Sequence, residues 1–581
     1  MTSKTPKFDK AINDYFAGLK LDEQGGQWRI CRFSGEKFYV RPEDIGFYKK
    51  LKVPLPTIKT KERWRRRASY QNSYNLFWVK SAFSGKQVLA AYPPGTPHKI
   101  FEHQVWFSNE WDPFGYGRVW DESQDFFGNF RGLQLAMPRP NLVTDSTNFN
   151  SDYSNMSTHL KNCYLTFDTL SGENLYYFQC CDGSRDCVDC DSLWNCDNCY
   201  RSQALYDSFR CLFCEQSKNC LENFFLFDCR NCSHCFMSSG LRNKKFYFRN
   251  QSYSPEEYYE KLKSINLGDF RKLEDLLQEY GKLKEDAHYK PDHNFRSVNC
   301  YGDWLENSRN CYFSGFLYNS DNVNYSLGCF GYKDSYDLFG GGGGELCYEL
   351  STVSTANNYR VFFSSQIDNS RNMEYCDLCK NCHDCFGCIG LDNKSFCVLN
   401  KQYTEDDYWN IVDDIKTGML KNGLYGEFFP PELMTVPYKL SFANSYPGFS
   451  DYENAGKCGY DVSETPVPES ETKGEIITSS ELPNRIKDVK DDILDKIIFD
   501  EKNQKPFRVM KYELDFYRRH NIALTREHPT VRLKRFREVY DISMTFYERK
   551  CIKCGIKIQS AHDPATFKNV YCEQCYNSEI V

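Results

Sequence analysis

Between Ser154 and Leu241 the chain keeps a period of three. Every third residue is small or apolar, from Ser154, Ser157, Leu160 and Cys163 through to Cys229, Cys232, Cys235, Ser238 and Leu241, with Asn223 the exception. The residues between are mostly polar, charged or aromatic. An amphipathic helix steps by three and four and a half-buried strand by two, so an unbroken step of three fits neither. A second rhythm overlies the first: Asn162, Asn174, Asp186 and Asn198 recur twelve apart, each just before an in-phase residue. Twelve residues per coil with four inward positions predict a narrow β-solenoid, whose coils bury a core only by stacking on one another. At about 4.8 Å per coil the stretch makes a rod roughly 35 Å long. The Asn/Asp row is expected at a turn, where these residues tolerate left-handed backbone.

The pattern returns. From Cys311 it runs through Ser314, Leu317, Ser320, Val323, Ser326, Cys329, Tyr332, Ser335 and Leu338, and on through Val353 and Ala356 to Tyr359 and Phe362. It slips near Asp368 and resumes at Ser370, Met373, Cys376, Cys379, Cys382, Cys385, Cys388 and Leu391. The two stretches end alike. LRNKKFYFRNQSY precedes Ser254-Pro255-Glu256-Glu257, an N-cap, a first-turn Pro and a capping-box acid, and NKSFCVLNKQY precedes Thr404 with Asp407 three residues later. Helices are expected over about 255–264 and 268–284, and after Thr404. The predicted fold is mainly β: two narrow parallel β-solenoids over 151–253 and 298–403, about 12 residues per coil, each closed by a helix and flanked by duplicated zinc-ribbon-like modules. A helical connector at 254–297 joins them, and a helix with irregular sequence occupies 404–460.

The flanking modules are copies. Phe38, Val40, Phe47, Tyr48, Val53, Leu55 and Arg63 match Phe507, Val509, Phe516, Tyr517, Ile522, Leu524 and Arg532 at one offset. After a one-residue insertion, Ser81, Ser84 and Gly85 match Cys551, Cys554 and Gly555. The copies span 26–105 and, behind an acidic linker at 461–483, residues 484–581. In the second copy Cys551-x2-Cys554 and Cys572-x2-Cys575 have the spacing of a zinc ribbon, in which two turns each offer two thiolates to one tetrahedral ion. Four thiolates leave no place for a catalytic water, so the expectation is one structural zinc. The first copy holds Ser81, Ser84, Glu102 and Val105 there, and is expected to fold without metal.

Both copies carry a basic arm. Lys59, Lys61, Arg63, Arg65, Arg66 and Arg67, with Trp64 available for stacking, and Arg532, Lys534, Arg535 and Arg537 in the second copy, are candidates for nucleic-acid contact. The alternative is a solvated helix face over the module. Residues 1–25 read as a polar lead-in. The segment 106–150, which opens on Trp106 and Trp111 and carries Phe126, Phe127 and Phe130, reads as an aromatic docking surface. Ile486, Val489, Ile493 and Ile497 have helical spacing, and the linker is expected to let the second copy move.

The 29 cysteines form an odd number in a long chain with a net charge of −6, no apolar N-terminal leader and no run of membrane-spanning length. This favours a reducing, cytoplasmic setting and a protein not bound to a membrane. Cys187 in the first repeat faces Ser335 in the second, and Cys190 faces Leu338, exchanges that a packing position tolerates and a ligand does not. Most of the repeat cysteines are therefore read as core. The run Cys376, Cys379, Cys382, Cys385 and Cys388 beside His383 remains a candidate second metal site, although the ending of a ferredoxin motif is absent. Gly340–Gly344 lacks the Lys-Ser/Thr of a phosphate loop.

The halves SGEKF…DIGFYKKLKVPLP and CIKCG…VYCEQCY, the WDPFGYG stretch and the KNCYL and CRNCSHCF repeats resemble a family of Cys-rich hypothetical proteins associated with ultra-small bacteria of the candidate phyla radiation. The resemblance covers most of the chain. It implies a CPxC pair where this chain has Lys59 and Glu62, and a Cys at Ser81, which with Cys31 would complete an N-terminal zinc site that this chain lacks. It implies a fold and no activity. The scattered histidines offer no catalytic spacing. The functional expectation is a non-enzymatic binding or scaffold protein engaging RNA or a ribonucleoprotein. The alternatives are a purely protein-binding scaffold, and an enzyme of the carbohydrate-active β-helix or thiol/metal redox kind.

Overall fold

The computed structural model describes residues 3–72, 74–144, 146–351, 357–464, 474–537 and 545–580. It is strand-rich, with two large, mostly parallel sheets of twelve and ten strands. In the first sheet paired residues lie twelve apart: Leu175 with Cys187, Phe178 with Cys190, Leu205 with Ser217 and Leu226 with Ser238. The second sheet repeats this, pairing Leu317 with Cys329, Val323 with Ser335 and Met373 with Cys385.

The period of three has a backbone cause. Along both sheets nearly every third residue is left-handed; Asn162, Leu165 and Asp168 have φ of 54°, 47° and 56°. The residue after each of these corners points inward, so a twelve-residue repeat has four corners and four core positions. Asn and Asp suit the corners because they tolerate this backbone and bond their neighbours in adjacent repeats. Asn174 Nδ2 donates to Asp186 Oδ1 at 2.8 Å, and Asn372 Nδ2 to Asp384 Oδ1 at 2.9 Å. Inside, a small acceptor must meet the backbone N–H of the following repeat. Cys196 N–H donates to Ser184 Oγ, Cys199 N–H to Cys187 Sγ, and Cys235 N–H to Asn223 Oδ1. Asn223 is thus no exception to the pattern: it is fully buried and fills the same need.

The phase change in the second sheet does not fall near Asp368. Gly344 pairs with Asn358 and Tyr348 with Phe362, fourteen apart, so two residues are inserted between Leu350 and Asn358. Val353 and Ala356 lie outside the described residues. Beyond the insertion the inward series is Val361, Ser364, Ile367 and Ser370, all buried, whereas Tyr359 is 44% exposed.

Helices follow both sheets. Pro255–Lys263 carries the full capping box between Ser254 and Glu257, Phe270–Asp286 comes next, and Thr404 caps Glu405–Lys421. The lead-in is not merely polar. Pro6–Ala17 is a helix that buries Phe8 and Ile12, and Asp413 of the Glu405–Lys421 helix accepts its first amides, from Lys7 and Phe8. Ile486, Val489, Ile493 and Ile497 are all buried, but Ile486 and Ile493 sit on 3₁₀ turns, Val489 on the extended residue after the first, and Ile497 on a strand, rather than on an α-helix. Their spacing reports the core they face; packing, not local propensity, sets the backbone. Phe126 packs on Tyr375 and Phe386, so the aromatic segment docks on the second sheet.

The two flanking copies share one order of elements. The first has the hairpin Gln27–Ile30/Lys37–Val40, helices Pro42–Leu51 and Thr60–Ala68, the hairpin Phe77–Lys80/Gln87–Ala90 and the helix His103–Trp106. The second has Ile497–Asp500/Lys505–Phe507, Lys511–His520, Pro529–Arg537, Tyr547–Lys550/Lys557–Ser560 and Glu573–Glu579. They dock crosswise: the N-terminal copy lies on the second sheet and the C-terminal copy on the first. Phe47 stacks on Tyr336 at 3.6 Å, and Tyr512 on Tyr176 at 4.6 Å.

Candidate metal centre

Each hairpin turns through a knuckle of one geometry. In the last, Cys551 N–H donates to Ile556 O, Gly555 N–H returns to Cys551 O, and Gly555 has φ of 74°. The positive φ explains the glycine. Ile552 N–H then reaches Val570 O, which sets Cys572 at the N-cap of Glu573–Glu579. The four ligand atoms of Cys551, Cys554, Cys572 and Cys575 lie within 4.8 Å of one another, with Cys554 Sγ and Cys572 Sγ 3.7 Å apart. A tetrahedral ion with metal–sulfur bonds of about 2.3 Å needs sulfurs about 3.8 Å apart, so the set fits a metal ion. Burial pushes the Cys551 thiol up, but the amides of Cys554, Cys572 and Lys553 outweigh it and hold it at about 6. Hydrogen bonding from Cys572 first, then burial and the other two thiols, holds Cys575 up at about 12.

The other three knuckles occupy the same positions with different chemistry. Ala82 N–H reaches Ile100 O, and Glu102, an N-cap like Cys572, accepts from both Ser81 and Ser84. Arg32 N–H reaches Thr57 O, placing Cys31, Ser34, Lys59 and Glu62 in register, with Lys59 paired to Glu36 instead of a ligand. The fourth knuckle escaped the sequence reading because it contains no cysteine. Asp500 and Asn503 stand where Cys551 and Cys554 do, Gln504 replaces the glycine at φ of 54°, and Asp500 Oδ2 accepts from His528 N–H. Aligning Asp500-x2-Asn503 on Cys31-x2-Ser34 was the available signal.

The basic arms are not surfaces. Arg63, Arg65, Arg66 and Arg67 are at most 2% exposed. Arg63 pairs with Asp337 at 2.9 Å, Arg65 with Glu62, Arg66 with Glu349 and Glu427, and Arg67 with Asp337 and Glu349. Trp64 donates to Tyr325 O and is buried, so it cannot stack on a base. Lys61 lies over Phe449, and Lys59 is taken by Glu36. In the second copy Arg532 pairs with Asp189 at 2.7 Å and with Glu513, Arg537 with Asp191, and Arg535 with Glu527. Lys534 alone of these residues is exposed. The nucleic-acid reading of the arms does not fit: Arg63, Arg66, Arg67 and Arg532 face carboxylates at corners of the sheets, and Arg65 and Arg537 are buried against Glu62 and Asp191, out of reach of phosphate.

These contacts are equivalent in pairs. Arg532 lies 4.1 Å from the ring centre of Tyr177, whose hydroxyl donates to Glu513; Arg63 lies 5.1 Å from that of Tyr325, whose hydroxyl donates to Asp44. Asp189 and Asp337 are both left-handed corners. This anchoring also corrects the expectation of a mobile C-terminal copy. Its Tyr512, Arg532 and Arg537 side chains, and Tyr289 backbone bonds to Asn569 and Tyr571, hold it in place. Residues 465–473 of the linker lie outside the described residues.

Cys376, Cys379, Cys382, Cys385 and Cys388 do not form a second centre. Among the described residues only the Cys551 cluster brings three or more ligand atoms together. Each thiol of the run instead bonds a backbone carbonyl, such as Cys376 Sγ to Glu374 O and Cys388 Sγ to Cys397 O. Elsewhere in the two cores burial pushes Cys187, Cys329 and Cys347 up to about 12, as expected of protonated packing thiols.

A His–Asp pair was missed. His293 Nδ1 lies 3.0 Å from Asp303 Oδ1, and its ring stacks on Trp304 at 4.1 Å, in a small pocket that Asp292 and Tyr289 also line. The two residues meet across adjacent repeats, which their ten-residue separation does not reveal. Among the described residues no hydroxyl or thiol is hydrogen-bonded to the His293 ring.

No protein-family model matches the chain, and no curated protein matches it. No helix among the described residues is long and apolar enough to cross a membrane.

Proposed function

We propose that the protein is a non-enzymatic scaffold that binds other proteins, built from two β-solenoids and two zinc-ribbon-type modules, of which the second holds one structural zinc. The solenoid reading rests on the twelve-residue offset and the left-handed residue at nearly every third position; the zinc reading rests on four thiols with tetrahedral spacing. The observation that carries the scaffold reading is the crosswise docking. Each module is locked by a buried Arg–Asp–Tyr network on the opposite sheet, which makes a rigid body and commits the charges that would otherwise bind phosphate. The N-terminal hairpins keep large apolar groups outside. Trp28 and Trp78, at the same place in their two hairpins, are 63% and 55% exposed, and tryptophan is a favoured anchor at protein interfaces.

The test is affinity capture with the native protein and a Trp28→Ser/Trp78→Ser variant, each with and without nuclease. The reading expects partners that survive nuclease and are lost in the variant. Partners released by nuclease, and indifferent to the tryptophans, would replace it with an RNA-binding function.

A further inference from the structure

Between the two sheets lies a partly open cavity of about 420 Å³, the size range of small-molecule sites. Its walls are aromatic: Trp194 comes from the first sheet, and Phe316, Phe330 and Phe339 from the second. Asp168 lines it from a left-handed corner. Among the described residues its carboxylate makes no hydrogen bond, although burial raises its pKa and the nearby Arg537 opposes that rise. Arg537 is already engaged: Nε donates to Gln179 Oε1 at 2.9 Å, Nη1 to Tyr446 Oη at 3.1 Å, and the guanidinium pairs with Asp191 at 3.4 Å. Arg537 lines the cavity too, but with its guanidinium so engaged the cavity combines π faces with a carboxylate that, among the described residues, no cation pairs at hydrogen-bond distance.

We propose that this cavity binds an organic ammonium ion, a cation carrying an apolar body. Aromatic faces attract such a cation through their quadrupoles, most strongly where water is excluded, and Asp168 supplies the opposite charge. A neutral hydrocarbon would leave the carboxylate desolvated and unpaired, and an anion would be repelled by it. The site is independent of the protein-binding role proposed above, since neither Trp28 nor Trp78 lines it.

The test is ligand-observed NMR titration of the full chain with benzyltrimethylammonium, its neutral isostere neopentylbenzene, and phenylacetate. The native protein should bind the cation at least tenfold more tightly than either control. Asp168→Asn keeps a side chain suited to the left-handed corner and should weaken cation binding at least tenfold while leaving the isostere unchanged. Phe330→Leu, which leaves the carboxylate in place, should weaken the cation more than the isostere. Equal binding of cation and isostere, preference for phenylacetate, no binding of the cation by the native protein at millimolar concentration, or a cation affinity untouched by both substitutions would overturn the proposal.

Discussion

The two copies of the flanking module are built alike and held differently. The C-terminal copy ends in four thiols with tetrahedral spacing, and it docks through Arg532 and Arg537. The N-terminal copy has one thiol, Cys31, at the four positions of its first knuckle and none at its second, and docks through a denser network in which Arg63, Arg66 and Arg67 share Asp337, Glu349 and Glu427. One geometry thus persists with four thiols that could hold a metal ion and with hydrogen-bonded side chains. A knuckle is defined by its backbone, by a left-handed residue after the turn and an N-cap opposite, while its side chains decide whether an ion is needed.

The largest expected difference follows from this. Chelation, or Cys554→Ser with Cys575→Ser, should unfold the hairpin Tyr547–Ser560, because binding a structural ion is worth on the order of 10 kcal/mol. Hydrogen exchange should show protection lost over 545–580 and kept over 77–106. Equal loss in both copies would mean that the N-terminal one also depends on metal. Next come the buried cations. Arg532→Ala should destabilise by about 3–5 kcal/mol in urea unfolding, since it strands the buried Asp189, and Arg63→Ala by less, since Arg67 still pairs with Asp337. Acid should then separate the copies further. Burial raises the Glu427 pKa, but Arg66, Arg32 and Thr57 overcome it and hold it at about 2, below the ordinary 4.5. Its contribution is therefore full above pH 4.5 and is lost as pH falls toward 2. Glu427→Gln should flatten that part of the stability–pH curve, whereas removing Glu513 in the other copy should destabilise by freeing the Tyr177 and Tyr517 hydroxyls, with Arg532 still paired to Asp189. Smallest is the corner ladder: Asn174→Ala and Asn372→Ala should cost about 1–2 kcal/mol by placing alanine in left-handed backbone, and the glycine variants less.

Much of this architecture was legible in the chain. The step of three follows from one left-handed corner per three residues, so inward positions could be named from Ser154 to Leu241 without knowing the pairing. Both capped helices and the Cys551 cluster also came from local signals, an N-cap pattern and a ligand spacing. What was hidden depended on distant residues. The arms read as basic surface because the carboxylates that bury them, Asp337 and Asp189, lie hundreds of residues away. The insertion after Leu350 was misplaced because Tyr359 and Phe362 kept an apolar phase on the outer face. The run Cys376–Cys388 resembled a ligand set because spacing along the chain does not reveal that each thiol finds a carbonyl first.

The central claim is the crosswise lock, and a double-mutant cycle tests it most directly. Arg532 with Asp189, and Arg63 with Asp337, should each show a coupling energy of at least about 1 kcal/mol, while the exchanged pairs, Arg532 with Asp337 and Arg63 with Asp189, should be additive. Additivity in the first two pairs, or coupling in the exchanged ones, would contradict the account.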